Sequence, residues 1–309
     1  MDEPCLAYNF PWLKYPQDRW PCIIREYLDH GVTHFVFTEG LVRKCLKNTD
    51  MLALLHSLTE EYGVHFVAMH AICGRDDDLD IIDQERRPSM IDEHIRSLRI
   101  AAEFGARTYT VHPGAYYHVV KEHHTPIEML RRNTLEALDR LVPVAEECGV
   151  VIAVENSFEP PNSPDEVLYY VGHYAGSPAM GVCFDTGHAN VMAPFPGKDR
   201  SLYEEYMEPS WWENGIVEEP CALEKLHPHI VTTHIHDNNG YGDLHAMPGD
   251  GNIAWKQLMP KLRECPRMLE YQTEICFEWG TNWAGRLLSP KGGYSIKRQV
   301  ETFRWLFSL

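Results

Sequence analysis

The chain has 309 residues, of which 44% are hydrophobic and 24% are charged, as in an ordinary globular protein. Lys and Arg number 28 against 45 Asp and Glu, so the formal net charge is −17. Because nucleic-acid binding normally requires a basic surface, we expect no nucleic-acid partner and a small substrate rather than a large polyanion.

Short β-rich segments alternate with amphipathic helical segments along the chain. The predicted strands, in chain order, are residues 5–10, 33–38, 65–71, 107–112, 150–155, 180–185, 230–236 and 271–277. The predicted helices between them include residues 49–62, 89–104, 126–148, 164–174, 254–264 and 296–307. Gly63 and Gly149 directly follow two of these helices, where a glycine in the left-handed conformation is expected to end the helix.

The cores of the predicted strands are nearly continuous apolar runs, as in residues 66–69 and 151–154. Such runs are typical of parallel strands that helices cover on both faces. Eight strand–helix units close most simply into a barrel, so the predicted fold is α/β, a single (β/α)8 TIM barrel over residues 1–309. A doubly wound open sheet is the alternative, and the lack of Gly-x-Gly-x-x-Gly after the first strand disfavours a dinucleotide-binding fold.

One irregular stretch interrupts this alternation, at about residues 194–220 after the sixth predicted strand. It contains Trp211, Trp212 and many acidic residues. We interpret it as an insertion that either covers the active-site face of the barrel or forms a subunit contact. The second role would make the protein a homo-oligomer.

The cellular location of the protein is predicted from the lack of membrane-spanning, signal-like and disulfide patterns in the sequence. No apolar run approaches the roughly 20 residues that a membrane helix needs, and residues 1–4 contain no signal-like segment. The nine cysteines form no C-x-x-C pair, which is typical of reduced thiols. We therefore expect a cytoplasmic protein without a membrane partner.

Polar side chains stand at the carboxyl ends of six predicted strands, about one strand–helix unit apart. They are His70, His112, Glu155, Asp185, His234 and Glu274. In a barrel, residues at these ends converge on one mouth, where the active sites of this fold lie. Any one of them alone is ordinarily structural. Together they would carry a large desolvation cost unless they were paired or bound a metal, so the sequence predicts a divalent-metal site.

Four motifs resemble those of a known family: HPG at 112–114, VEN at 154–156, FDTGH at 184–188 and HIHDNNGYGDLHAMPGDGNIAW at 234–255. Over nearly its whole length the sequence resembles the sugar phosphate isomerases and epimerases, which are xylose-isomerase-like TIM barrels related to endonuclease IV. The resemblance implies one catalytic divalent ion, with Mn²⁺ favoured and Zn²⁺, Mg²⁺ or Co²⁺ as alternatives. The ligands that it implies here are Glu155, Asp185, His234 and Glu274.

The resemblance also implies a reaction, the transfer of a proton at a carbon next to a carbonyl group. Glu155 and Glu274 are expected to be the catalytic base and acid while the ion polarises the carbonyl. The residues expected to bind the substrate or an additional metal ion are His70, His112, His188, His236, Asp243 and His245. The expected substrate is a monosaccharide or polyol derivative.

Three other functions stay open. A lyase on the same barrel, which dehydrates an inosose or eliminates from a 3-keto-C-glycoside, begins with the same proton abstraction. An endonuclease IV-like hydrolase binds three zinc ions, and its nine ligands all have matches here, although the acidic charge disfavours DNA. Those matches are His70, His112, Glu155, Asp185, His188, His234, Asp243, His245 and Glu274. A non-catalytic sugar-binding barrel would fit the loss of a ligand carboxylate, and none is lost.

Overall fold

A computed structural model describes residues 4–114, 125–206, 216–276 and 294–309. Its eight strands are parallel and form a closed barrel, in which each strand pairs with the next and the last pairs with the first. The predicted (β/α)8 barrel is therefore confirmed. The strands are β1 Cys5–Tyr8, β2 His34–Phe37, β3 His65–His70, β4 Thr108–Val111, β5 Val151–Glu155, β6 Met180–Asp185, β7 Ile230–Ile235 and β8 Glu270–Thr273.

Helices follow the strands around the outside of the barrel. In the described residues they are α1 Trp20–Asp29, α2 Glu39–Lys47, α3 Thr49–Tyr62, α4 Arg87–Glu103, α5 Ile127–Cys148, α6 Pro164–His173, α7 Thr186–Met192, α8 Tyr203–Tyr206, α9 Ala222–Leu226, α10 Trp255–Arg263 and α11 Ile296–Phe307. The six predicted helices are found to within two residues at either end. In this part of the chain, no helix is both long and apolar enough to cross a membrane.

Local sequence signals explain where several helices begin and end. The Asn48 side chain accepts a hydrogen bond from the backbone N–H of Asp50 and caps the start of α3. Gly63 and Gly149 follow α3 and α5 with φ of 62° and 68°, the left-handed conformation that was expected of them. These glycines end α3 and α5 so abruptly that the next strands, β3 and β5, begin two residues later.

The insertion predicted at 194–220 follows β6, and its central residues 207–215 lie outside the described residues. In its described part, Phe195 and Tyr203 pack against Tyr241 with ring centroids 5.5 and 5.8 Å apart. Tyr206 stacks on the same ring at 6.3 Å. Because Tyr241 follows β7 on the side where the strands end, this part of the insertion contacts a loop of the predicted active-site face.

A buried carboxyl group also lies at the opposite end of the barrel. Glu270, the first residue of β8, is fully buried and accepts a hydrogen bond from the Thr108 hydroxyl. The Nε of Arg107 lies 3.4 Å from Glu270 Oε2. Burial raises the pKa of Glu270 to about 7, although Thr108 and Arg107 act to lower it. The folded protein therefore favours the protonated form of Glu270.

Replacement of Glu270 by Gln should flatten the pH dependence of stability. Because its folded pKa of about 7 exceeds the usual 4.5, the stability due to protonated Glu270 is complete below pH 4.5 and lost as the pH rises through 7. The loss amounts to about 3 kcal/mol at most. Urea unfolding at pH 5 and pH 8 should show Glu270→Gln gaining stability over the wild type only at pH 8. An equal difference at both pH values would contradict this account of Glu270.

Candidate metal centre at the barrel mouth

The four predicted metal ligands meet at the carboxyl mouth of the barrel. Glu155 and Asp185 end β5 and β6, His234 lies in β7, and Glu274 directly follows β8. The parallel register brings these ends together: Asp185 is paired with His234, and the N–H of Glu274 donates to Ile235 O at 3.1 Å. One ligand atom from each of the four residues lies within 4.8 Å of the other three.

The donor atoms of this cluster fit a bound cation. His234 Nδ1 lies 2.7 Å from Glu274 Oε2 and 3.1 Å from Glu155 Oε2. Nevertheless, both His234 Nδ1 and Glu274 Oε2 are buried without a hydrogen-bond partner of acceptable geometry in the described structure. Buried polar atoms rarely stay unpartnered, and a cation between them would satisfy both. The set of one nitrogen and three carboxylate groups suits divalent ions such as Mn²⁺ and Zn²⁺.

The protonation states of the two glutamates and of His234 depend on one another, and a bound metal ion would change them. Burial acts to raise the pKa of Glu155, but His234 and His112 hold it well below its usual range. Burial also acts to raise the pKa of Glu274, and His234 lowers it. Conversely, burial acts to lower the pKa of His234, while Cys183, Glu274 and Glu155 raise it well above its usual range. Without a metal, the positive charge of protonated His234 thus partly offsets the negative charges of Glu155 and Glu274. A divalent ion that binds there would displace the His234 proton.

Three further histidines at this mouth share one arrangement, in which Nδ1 lies at hydrogen-bond distance from a backbone carbonyl. The pairs are His70 with Ala71 at 2.9 Å, His188 with Asn156 at 2.9 Å and His245 with Glu274 at 3.0 Å. Beside the Asp243 carboxylate, the pKa values of His188 and His245 are raised, so their Nε2 atoms carry a proton, whereas burial lowers the pKa of His70 and leaves its Nε2 with a lone pair. In that form an imidazole can bind a metal or accept a hydrogen bond from a hydroxyl group.

Asp243 and His112 complete the group of predicted site residues. Asp243 Oδ2 lies 3.4 Å from His188 Nε2 and 3.1 Å from His245 Nε2. His112 Nε2 lies 3.0 Å from Glu155 Oε2. Ligand atoms also lie within 4.8 Å of one another in other groups, including His70, His112 and Glu155, and His236, His245 and Glu274. The geometry therefore allows these residues to bind either a substrate or an additional ion.

His236, another of the predicted site residues, is fully buried. Its Nε2 lies 3.1 Å from both carboxylate oxygens of Asp185, and its ring stacks on His245 at a centroid distance of 4.1 Å. A histidine that contacts a ligand carboxylate in this way orients it. Gly187 makes the contact sterically feasible, since a Cβ at this position would overlap the His236 ring.

Replacement of Gly187 by Ala should therefore weaken metal binding. The new methyl group displaces His236, and loss of such an orienting contact typically costs about 10–100-fold in metal affinity. Isothermal titration with Mn²⁺ measures the change. Gly172→Ala is the matched control, because it is also a helical glycine and its added Cβ would meet open space. Equal affinities for the two variants would contradict the orienting role of His236.

A cavity of about 510 Å³ opens above the cluster. Its lining includes Glu155, Glu274 and Trp12. A smaller cavity of about 160 Å³ adjoins it and is lined by Glu155 and by Glu159. The sequence reasoning missed Glu159, whose one signal is its position four residues after Glu155. Its Oε1 is buried without a partner in the described structure, and burial, with Asp78 and Asp80 nearby, raises its pKa well above the usual range.

A closed barrel with a His and carboxylate cluster at its mouth defines a TIM barrel with a candidate metal centre. Residues 25–291 match the family described as the xylose isomerase-like TIM barrel, and the chain belongs to this family. The resemblance inferred from the four sequence motifs is thereby confirmed.

Two relatives of unknown function are similar to this chain. An uncharacterized protein of Methanocaldococcus jannaschii, MJ1311, is 28% identical in an alignment 193 residues long, which covers 57% of this chain and 56% of the relative. The uncharacterized protein y4fM of Sinorhizobium fredii is 28% identical over 134 residues, or 43% of this chain and 34% of the relative. The matched region thus spans about half of the first relative and a third of the second.

Solved structures share the fold across almost the whole chain. A D-tagatose 3-epimerase-like protein has a TM-score of 0.67 at 19% identity, covering 98% of this chain and 96% of its own. The apo form of 3-keto-D-glucoside 4-epimerase from E. coli has a TM-score of 0.68 at 16% identity, covering 99% and 100%. The IolI protein with a bound zinc atom has a TM-score of 0.61 at 15% identity, covering 98% and 96%. At these identities the likeness shows the fold.

Proposed function

We propose that this protein is a divalent-metal-dependent isomerase or epimerase that acts on a monosaccharide or polyol derivative. One observation carries the proposal: Glu155 and Glu274 both line the large cavity and both belong to the four-ligand cluster. Two carboxylates beside one candidate ion are what a proton transfer next to a carbonyl requires. The epimerases among the solved structures of this fold support the same class of reaction.

The reaction removes a proton from a carbon next to a carbonyl and returns it to the other face or to the neighbouring carbon. Glu155 and Glu274 are ionised, because their pKa values are held low, and each is able to accept the proton. In an isomerisation the carboxyl group that forms returns the proton to the neighbouring carbon; in an epimerisation one glutamate accepts the proton while the other, carrying a proton, delivers it to the opposite face. A divalent ion held by Glu155, Asp185, His234 and Glu274 would act as a Lewis acid toward the carbonyl oxygen.

The remaining site residues suit the hydroxyl groups of a carbohydrate. His70 holds Nε2 ready to accept a hydrogen bond, because its Nδ1 faces a backbone carbonyl and burial lowers its pKa, whereas His188 and His245, whose pKa values are raised, can donate from Nε2. Glu159, kept protonated by its raised pKa, donates a hydrogen bond to a substrate oxygen.

Turnover in D₂O tests the proposal. The Mn²⁺-loaded protein is incubated with ketohexoses, inososes and 3-keto-glucosides, and NMR detects deuterium at the carbon next to the carbonyl. Glu155→Gln and Glu274→Gln should each lower kcat by about 10²–10⁴-fold, because Gln keeps the shape but removes the base. Glu270→Gln is the matched control, since it makes the same change at the opposite end of the barrel and should retain the rate.

Metal content is measured in each variant, because both glutamates are also proposed ligands. Substrates deuterated at the reacting carbon are used as well, since a shielded base can return its own proton. A converted substrate that shows neither exchange nor transfer of the label nor an isotope effect would contradict proton-transfer chemistry. A product that has lost water or an aglycone identifies the protein as a lyase, which shares the proton abstraction but not the proposed product.

A further inference from the structure

A long loop without helix or strand carries two of the site residues. It runs from residue 238 to residue 254, after His236 and Asp237 at the end of β7 and before α10. Within this loop Asp243 and His245 reach the cluster, with Asp243 Oδ2 3.4 Å from His188 Nε2. Loops of this length are uncommon inside a domain unless they serve a function, and side chains on them need a rigid support.

The carboxylate of Asp237 provides that support. Its Oδ1 accepts hydrogen bonds from the backbone N–H groups of Asn238, at 2.9 Å, and Ile253, at 3.1 Å. Its Oδ2 accepts from the backbone N–H of Gly249 and from the indole N–H of Trp255, both at 2.8 Å. These donors come from the beginning, the middle and the end of the loop and from the first turn of α10. One side chain thus ties the whole segment together.

Two features show how tightly this arrangement is built. Asp237 is fully buried, and its four donors are neutral N–H groups, so their alignment offsets the cost of burying a carboxylate. Gly251 passes so close that an added Cβ would overlap the Asp237 carboxylate. Any residue other than glycine at this position would push the loop away from Asp237.

The backbone of Asp237 also holds His245 in a strained conformation. Asp237 and Ala246 exchange two backbone hydrogen bonds, at 2.8 and 2.9 Å, directly beside His245. His245 has φ of 44°, and in the described residues it is the one non-glycine residue with positive φ. Such strain persists only where the surroundings fix the backbone, and it is frequent at functional sites.

We infer that Asp237 is a positioning residue, which fixes the 238–254 loop so that Asp243 and His245 face the metal cluster. Asp237 acts through those two side chains rather than by touching a substrate. The inference rests on the proposed function only for its kinetic test, because the order of the loop can be measured without a substrate.

Hydrogen exchange followed by mass spectrometry tests the support itself. In Asp237→Asn only one side-chain oxygen remains, and the new NH₂ group faces two N–H donors, so half of the bonds are lost. Peptides within 238–254 should exchange at least tenfold faster, while peptides of β5 and β6 stay unchanged. Asp83→Asn makes the same change at an exposed turn, where Asp83 Oδ1 accepts from the Glu85 N–H at 2.9 Å and the Arg86 N–H at 3.2 Å, and it should leave the loop unchanged. Trp255→Phe, which removes one donor only, should accelerate the same peptides to a smaller extent.

A double-mutant cycle tests whether Asp237 acts through His245. Asp237→Asn and His245→Ala should each raise KM at least fivefold, and the double variant should raise it by less than the product of the two effects, because residues that act together are not additive. Unchanged exchange in the loop would overturn the inference, and so would accelerated exchange with fully additive effects on KM. If the wild type converts no sugar, the proposed function fails, while the exchange measurement still decides the role of Asp237.

Discussion

The structure depends on an electrostatic constraint: three carboxylates and a histidine crowd together at the mouth of the barrel. Their ligand atoms lie within 4.8 Å of one another. Such a cluster is unfavourable in a low-dielectric interior unless a positive charge stands among the carboxylates. In the metal-free protein His234 supplies that charge, because its raised pKa favours the protonated imidazole. A divalent ion would replace the proton, and this exchange connects the fold to the proposed chemistry.

His236 and Asp237 preserve the geometry of the cluster. Each packs against the backbone of a glycine, Gly187 in one case and Gly251 in the other. His236 contacts both oxygens of Asp185 and fits only because residue 187 is glycine. One residue further, Asp237 ties the following loop to β7 through four hydrogen bonds. Two successive residues after β7 therefore have different roles: His236 orients the proposed ligand Asp185, and Asp237 holds the loop that follows. The site is therefore built on rigid strands, and the long loop is held beside them by the Asp237 carboxylate together with backbone hydrogen bonds such as the Asp237–Ala246 pair.

The sequence predicted the barrel and the convergence of the ligands because both follow from strand order. Residues at the ends of parallel strands share one mouth whatever the loops do, so Glu155, Asp185 and His234 could be placed without coordinates. The eighth strand was predicted over residues 271–277 and runs over Glu270–Thr273 in the structure, while residue 277 lies outside the described residues. Glu159 and the strained backbone of His245 could not be predicted, since both depend on loop conformations that hydrophobic periodicity does not specify.

The central claim is that one divalent ion sits among the four ligands at the barrel mouth. Anomalous diffraction from crystals grown with excess Mn²⁺ tests it most directly, because the signal locates the ion independently of activity. The account predicts one strong peak per chain, within bonding distance of Glu155, Asp185, His234 and Glu274. Further strong peaks beside His70 or His245 would instead indicate a multi-metal centre like that of a hydrolase. Fully ordered side chains with no peak among the four ligands would contradict the account.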